Sequence, residues 1–282
     1  MIPAAFDYLA PTTVDEALAA LAAGGDDVKV LGGGQSLLPI LRMRLNAPDS
    51  LVDLSRIEAL RGIRDEGDSL VIGAMTPYSD LLESELVHQH AALLVKAVAE
   101  VADPQIRHRG TIGGALVHAD PAGDVGAPVL ALDAELVIVG AGGERTVPAS
   151  EFFHDLFETS VAEGELLTQV RIRKHTGWAS HYEKFVRVSH QWSIIGVAVA
   201  LDVDGGTIRE ARIGLTNMGN TPLRARAVEA ALVGRSAADL GDACASVADG
   251  TSPPSDLNGD ADYRRHLARV LTRRAVRTAL GG

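Results

Sequence analysis

The chain has 282 residues, enough for one large domain or two ordinary ones, and its 46% hydrophobic and 22% charged residues are those of a soluble globular protein. A net charge of −11 argues against a nucleic-acid surface, which needs a basic face, and is read first as a source of solubility. The single cysteine, Cys244, excludes a disulfide framework and cannot alone hold an iron–sulfur cluster, which usually takes about four thiolates.

The opening MIPAAFDYLAP has no basic n-region and no apolar h-region, so no signal peptide is expected. The longest apolar run, Ile194 to Leu201, falls short of the roughly 20 residues of a membrane span. A cytoplasmic protein is expected. Asp15 to Ala23 predict a short helix closed by Gly24-Gly25, and VKVLGGG a strand running into a glycine turn. SLLPILRMRL predicts a helix opening at Ser36, with Pro39 tolerated near its first turn. SLVDL is a strand, and RGIRDEGDSLVIGA a hairpin around Glu66-Gly67-Asp68. AALLVKAVAEV is a helix stopped near Pro104. RHRGTIGGALVHADPAGD reads as irregular, glycine-rich chain. Apolar VGAPVLAL, the strand ELVIV and a hairpin around Ala141-Gly142-Gly143 follow.

From about Leu166 the texture becomes strand-rich. LLTQVRI, SHYEKFVRV, SIIGVAVALDV and TIREARIGLTN predict consecutive strands, with a tight turn at Asp204-Gly205-Gly206. After Pro222 the chain reads as helical through LRARAVEAALVG, AADLGDACASVA and DYRRHLARVLTRRAVRTAL, with TSPPSDLNGD as the loop before the last helix. The expected class is α+β. An N-terminal domain to about residue 170 is expected, followed by a smaller sheet-plus-helix domain.

Two loops carry candidate chemistry. Gly32-Gly33-Gly34-Gln35-Ser36, followed by Leu37, lies between a strand and a helix, where exposed N–H groups and close backbone approach suit a phosphate. A tight turn needing positive φ explains the same glycines. It is not a P-loop, because no Gly-Lys-Ser/Thr follows, and Leu37 stands where a Rossmann fingerprint needs its third glycine. The second loop, Thr111-Ile112-Gly113-Gly114-Ala115, is followed by His118, Asp120 and Asp124. A hydroxyl, glycine amides and a carboxylate suit a pyrophosphate and a sugar chain. The alternative is a loop whose Asp residues cap a helix starting near Asp124. Two such loops in one domain favour a dinucleotide. No HExxH or CxxC spacing appears, so no metal site is expected. The arginines of the last helix, Arg264, Arg265, Arg269, Arg273, Arg274 and Arg277, read as a solvated, salt-bridged face or as a docking face for an acidic partner.

LGGGQSLLPILRMRL and DPQIRHRGTIGGALVHADPAGD resemble the paired AGG-[HQ]-S-L and TIGGN signature of the flavoproteins of the molybdenum hydroxylase (xanthine oxidase) family. The likeness is colinear through MIPAAFDY, IRDEGDSLVIGAMT, GELLTQVRI, HYEKF, IGLTNMGNTPLRA and DYRRHLARVLTRRA, and is nearest to the carbon monoxide dehydrogenase branch. The resemblance implies a two-domain FAD-binding fold of the vanillyl-alcohol-oxidase (PCMH) type over 1–175, with two subdomains split near 55, and a C-terminal domain of the carbon monoxide dehydrogenase flavoprotein type over 176–282, an antiparallel sheet with helices. It implies one noncovalent FAD. Gly32, Gly33, Gly34, Gln35, Ser36 and Leu37 would lie along its pyrophosphate, as would Thr111, Ile112, Gly113, Gly114 and Ala115. His118, Asp120 and Asp124 would lie along its polar chain, and Leu166 and Leu167 would meet the flavin edge with their backbone. Lys184 would approach the flavin's carbonyl edge, and Trp192 would lie against the isoalloxazine. Without the resemblance, Lys184 reads first as an exposed strand lysine, and ordinary core packing explains Trp192 about as well as a flavin contact.

Gly32 replaces the family's usual alanine, and Ala115 replaces its common asparagine, which removes one side-chain hydrogen bond. A Cβ at Gly33 or Gly113 is expected to fill the phosphate's path. By the same resemblance, a large partner subunit holds the molybdopterin and oxidises the substrate, and a small one holds two [2Fe-2S] clusters. The flavin passes electrons on to an external acceptor such as a quinone, in the cytoplasm or at the inner face of its membrane. No catalytic residue is expected on this chain. The alternatives are the flavin subunit of an N-heterocycle, aldehyde or xanthine-type dehydrogenase, a self-sufficient FAD oxidase or reductase, and a non-enzymatic binding protein whose glycine loops are plain turns.

Overall fold

A computed structural model describes residues 2–282. The first unit is a small parallel sheet. β1 (Asp7–Leu9), α1 (Val14–Gly24), β2 (Val28–Leu31), α2 (Leu37–Arg42) and β3 (Ser50–Asp53) follow in order, and β3 lies between β1 and β2. α1 begins at Thr13, whose hydroxyl accepts the Glu16 amide at 3.1 Å. Ser36 stands at the N-cap of α2 but makes no capping bond. Its backbone is already helical (φ −108°, ψ −47°), which turns the hydroxyl away from the amides it would cap.

The second sheet has the order β4 (Ile63–Glu66), β5 (Ser69–Gly73), β10 (Leu166–Arg173), β6 (Glu135–Gly140) and β7 (Gly143–Pro148). β4 (Ile63–Glu66) and β5 (Ser69–Gly73) form the first hairpin. Helices α3 (Tyr78–Glu83), α4 (Glu85–His90), α5 (Ala92–Ala99) and α6 (Pro104–Arg107) follow. Pro104 opens α6 rather than merely ending α5, with the Asp103 carboxylate capping the Ile106 amide at 3.0 Å. The stretch expected to be irregular contains a helix, α7 (Ile112–His118), capped by the Thr111 hydroxyl on the Gly114 amide at 3.2 Å. Tertiary contact overrides the low helix propensity of Gly113-Gly114 here, because α7 packs against Ala74. α8 (Gly126–Ala131) precedes β6 (Glu135–Gly140) and β7 (Gly143–Pro148). Its N-cap is Val125, so Asp124 does not cap it. β8 (Phe153–Asp155) and β9 (Glu158–Thr159) make a small hairpin, and β10 (Leu166–Arg173) then enters the middle of the sheet, antiparallel to β5 and β6.

The third sheet runs β11 (Ala179–Phe185), β12 (Ile195–Asp204), β13 (Thr207–Thr216) and β14 (Leu223–Arg224), followed by α9 (Arg226–Leu232) and α10 (Ala261–Ala279). Leu223-Arg224, expected to be helical, pairs with Gly214-Leu215 instead. Residues 237–248, also expected to be helical, form turns and a short 3-10 stretch at Ala245–Ala248, with Gly241 at φ 48°.

β12 explains the layering. Its residues are buried on both faces through Leu201. Val197, Val199 and Leu201 pack with Val228, Leu271 and Val276 of α9 and α10. The alternate residues Ala198 and Ala200 join the core of the second sheet and its helices. α5 and α8 therefore lie between two sheets, and their small residues allow the close approach. Arg264 of α10 does not belong to a solvated face. It is fully buried, donating to the Ile194 carbonyl and pairing with Asp256 at 2.8 Å.

Candidate functional site

The two glycine loops face each other. A Cβ at Gly32 would meet the Thr111 hydroxyl at 3.3 Å and Gly114 Cα at 3.6 Å. A Cβ at Gly33 would lie 2.7 Å from Gly110 Cα and 2.8 Å from the Arg109 carbonyl carbon. A Cβ at Gly113 would lie 2.5 Å from Ala74 Cβ and 2.6 Å from the Ala74 carbonyl oxygen. Real Cβ atoms do not come that near to backbone. Glycine is required at both positions so that protein backbones can touch. The obstruction is the neighbouring loop, not the path of a phosphate.

The loops differ in what they offer a ligand. In the second loop the Gly113 amide already bonds the Ala74 carbonyl at 2.8 Å, the Gly114 amide bonds the Thr111 hydroxyl, and the Ala115 amide bonds the Thr111 carbonyl at 3.1 Å. In the first loop the N–H groups of Gly33, Gly34, Gln35 and Ser36 find no acceptor among the described residues. Adjacent free amides on a glycine turn make an anion-binding concavity.

These loops wall a cavity of about 940 Å³, at the upper end of the roughly 300–1,000 Å³ typical of ligand pockets. Every residue predicted at the site lines it except two. Ile112 is fully buried in the core, and Lys184 stands behind the wall. Leu166 and Leu167 reach it because β10 bulges at Thr168, where the register with β6 shifts. His118 lies against Phe157 with ring centroids 5.2 Å apart, and burial lowers its pKa while Asp120 opposes the shift. Trp192 is 55% exposed, so it is not core packing; it stands at the cavity with its ring toward Gly123.

Asp124 is the polar centre of the wall and is only 6% exposed. Its Oδ1 accepts from the Tyr182 hydroxyl at 2.8 Å and the Ser193 hydroxyl at 2.7 Å, and its Oδ2 accepts from Lys184 Nζ at 2.7 Å. Lys184 also donates to the Glu100 carbonyl at 2.9 Å. Burial raises the Asp124 pKa, and Lys184 opposes it. Burial, with Asp124 nearby, pushes the phenols of Tyr182 and Tyr78 well upward. Lys184 is thus neither an exposed strand lysine nor a cavity-facing cation, since its charge is balanced by Asp124. Sequence reasoning missed Tyr182 and Ser193. The i, i+2 spacing of Tyr182 and Lys184 on β11, which puts both on one face, was the available signal. Glu163, His190 and Gln191 also line the cavity and were not singled out. Among the described residues no cluster of three or more metal-ligating side chains occurs, and no helix is long and apolar enough to cross a membrane.

The profile of the FAD binding domain in molybdopterin dehydrogenase matches residues 4–174, and that of the CO dehydrogenase flavoprotein C-terminal domain matches residues 180–279. The carbon monoxide dehydrogenase medium chain of Hydrogenophaga pseudoflava is 42% identical over 286 residues, covering 99% of this chain and 98% of its own length. The medium chain of the same enzyme from Afipia carboxidovorans is 41% identical over 284 residues, with the same coverage of 99% and 98%. A solved carbon monoxide dehydrogenase from Hydrogenophaga pseudoflava, lacking the Mo-pyranopterin moiety, superposes with a TM-score of 0.95 at 43% identity, covering 100% of this chain and 99% of that one.

Proposed function

Since the chain belongs to the family of FAD-binding medium subunits of the molybdenum hydroxylases, we propose that it holds FAD in the cavity between its glycine loops and serves as the electron-exit subunit of an aerobic carbon monoxide dehydrogenase. The free amides of Gly33, Gly34, Gln35 and Ser36 carry this reading, because they supply what a pyrophosphate needs at the wall of a cavity of about 940 Å³. The domain over residues 1–175 provides both loops. The domain over 176–282 provides Trp192 at the cavity and the donors that fix Asp124.

FAD, when bound, joins single-electron donors to a two-electron acceptor. The chain's own residues bind and orient it. The first-loop amides would hold the diphosphate, Trp192 would offer a ring for the flavin to pack against, and the Leu166-Leu167 backbone borders the cavity where the bulge exposes it. The partners in this reading are a molybdopterin-containing large subunit and a [2Fe-2S] small subunit, with a quinone as acceptor. The absorption spectrum of the purified assembly after desalting tests the proposal. Flavin bands at one FAD per copy of this chain are expected. A colourless chain that takes up no FAD within the assembly refutes it.

A further inference from the structure

The Asp124 cluster joins the two domains at the cavity wall. Asp124 belongs to the N-terminal domain, between α7 and α8. Its hydrogen-bond donors all come from 58 to 69 residues later, on β11 and on the segment entering β12. Each donor is itself fixed. Tyr182 lies across Gly196, where a Cβ would come within 2.5 Å of its hydroxyl, so the glycine of the neighbouring strand makes room for the ring to reach Asp124. Ser193 is held on both sides of its peptide. Its amide donates to the Ala122 carbonyl at 3.4 Å, and its own carbonyl accepts from the Asn217 amide nitrogen at 2.7 Å. The next residue, Ile194, donates to the Phe185 carbonyl and accepts from the buried Arg264. Trp192, directly before this pinned pair, is exposed at the cavity.

An acid held by a charged and two neutral donors has its orientation over-determined. A ligand that lies along that wall meets a surface that exists only when the C-terminal sheet is docked. We propose that Tyr182, Ser193 and Lys184 are positioning residues that clamp Asp124 across the domain boundary, so that retention of the ligand in the cavity depends on docking of the third sheet. The proposal rests on the FAD reading of that cavity and goes beyond it by locating the control of retention in side chains that do not line the cavity.

The test uses the full-length chain in its FAD-loaded assembly and reads the FAD dissociation rate and the visible circular dichroism of the bound flavin. Removing one hydrogen bond to the charged Asp124 frees its orientation and should speed dissociation roughly 10-fold or more if the clamp acts on the ligand. Tyr182→Phe and Ser193→Ala should each release FAD at least about tenfold faster and alter the flavin circular dichroism. Ser193→Thr, which keeps the hydroxyl, should restore the wild-type rate. A merely structural role would lower the melting temperature of the FAD-free protein while leaving the FAD dissociation rate and the flavin dichroism unchanged. Dissociation within about twofold of wild type in both variants overturns the clamp while leaving the FAD reading intact. If Tyr182→Phe does not fold, Ser193→Ala and Ser193→Thr decide alone. Wild-type assembly without FAD overturns both.

Discussion

Replacing Gly33 with alanine adds one methyl group and should cost most of the FAD affinity. The added Cβ would lie 2.7 Å from Gly110 Cα, against an ordinary contact of at least 3.4 Å, so the loops must separate by 0.7 Å or more, and further at the Arg109 carbonyl oxygen. Both neighbours are backbone, and Gly110 is tied by bonds to the Ile106 carbonyl and the Tyr78 amide, so neither can turn aside as a side chain would. Overpacking of this kind costs about 1–3 kcal/mol of stability, or roughly 2–12 °C in melting temperature. The ligand suffers more. The free amides of the first loop move with Gly33, and hydrogen bonds to a charged group are worth about 1.5–3 kcal/mol each, so losing two weakens binding by at least about 100-fold. Calorimetric titration of the FAD-free protein with FAD, alongside thermal melts, measures both effects. Gly142→Ala is the control, because a Cβ there meets nothing within 4 Å. FAD affinity for Gly33→Ala within about threefold of wild type would refute the contact between the loops and the role of its amides.

Trp192→Ala should leave the FAD-free protein's stability within about 0.5 kcal/mol, because the side chain is largely exposed. FAD affinity should fall by about 0.5–1.5 kcal/mol, the worth of an aromatic pair beyond its buried area; an unchanged affinity would remove Trp192 from the site. His175 predicts acid sensitivity. Burial, and then the adjacent Arg212, hold its pKa below the ordinary 6.5. Its ring stacks edge-on against Trp178 at 4.7 Å, with Arg212 Nη1 3.2 Å from Nε2. A depressed folded pKa means that the unfolded chain takes up the proton first, so this stability is present above about pH 6.5 and is lost as pH falls below it. Urea midpoints should therefore drop between pH 7.5 and 5.5, and less so in His175→Gln. Equal slopes in the two proteins would show that another group is responsible.

The glycine loops were legible in sequence because their chemistry is local: strand, glycines, helix. Their distinct tasks were not. Whether an amide is free depends on what stands opposite it, and Ala74 lies about 40 residues before the amide it occupies at Gly113. Asp124 could be seen as a candidate carboxylate, but its donors come from another domain, and no spacing rule reaches that far. LLTQVRI looked like the first of a run of strands and belongs instead to the earlier sheet, because alternation identifies a strand and not its neighbours. For Arg264 the signal was present and outweighed by charge. Positions 264, 267, 268, 271 and 275 share one helical face, and the last four are apolar core residues.

The position of β10 in the second sheet has a consequence for synthesis. Its neighbours β5 and β6 end at Gly73 and Gly140, yet they are joined only by residues 166–173, with Gln169 opposite Gly73 and Arg173 opposite Ser69. On the ribosome the hairpins β4–β5 and β6–β7 emerge first as separate ribbons, which are marginal alone in water. The sheet closes when its middle strand arrives last, across about 100 residues of sequence, a topology that folds slowly. Nascent chains shorter than about 173 residues therefore expose two half-sheets with unpaired edges, and the interval before β10 emerges is when a chaperone has most to protect.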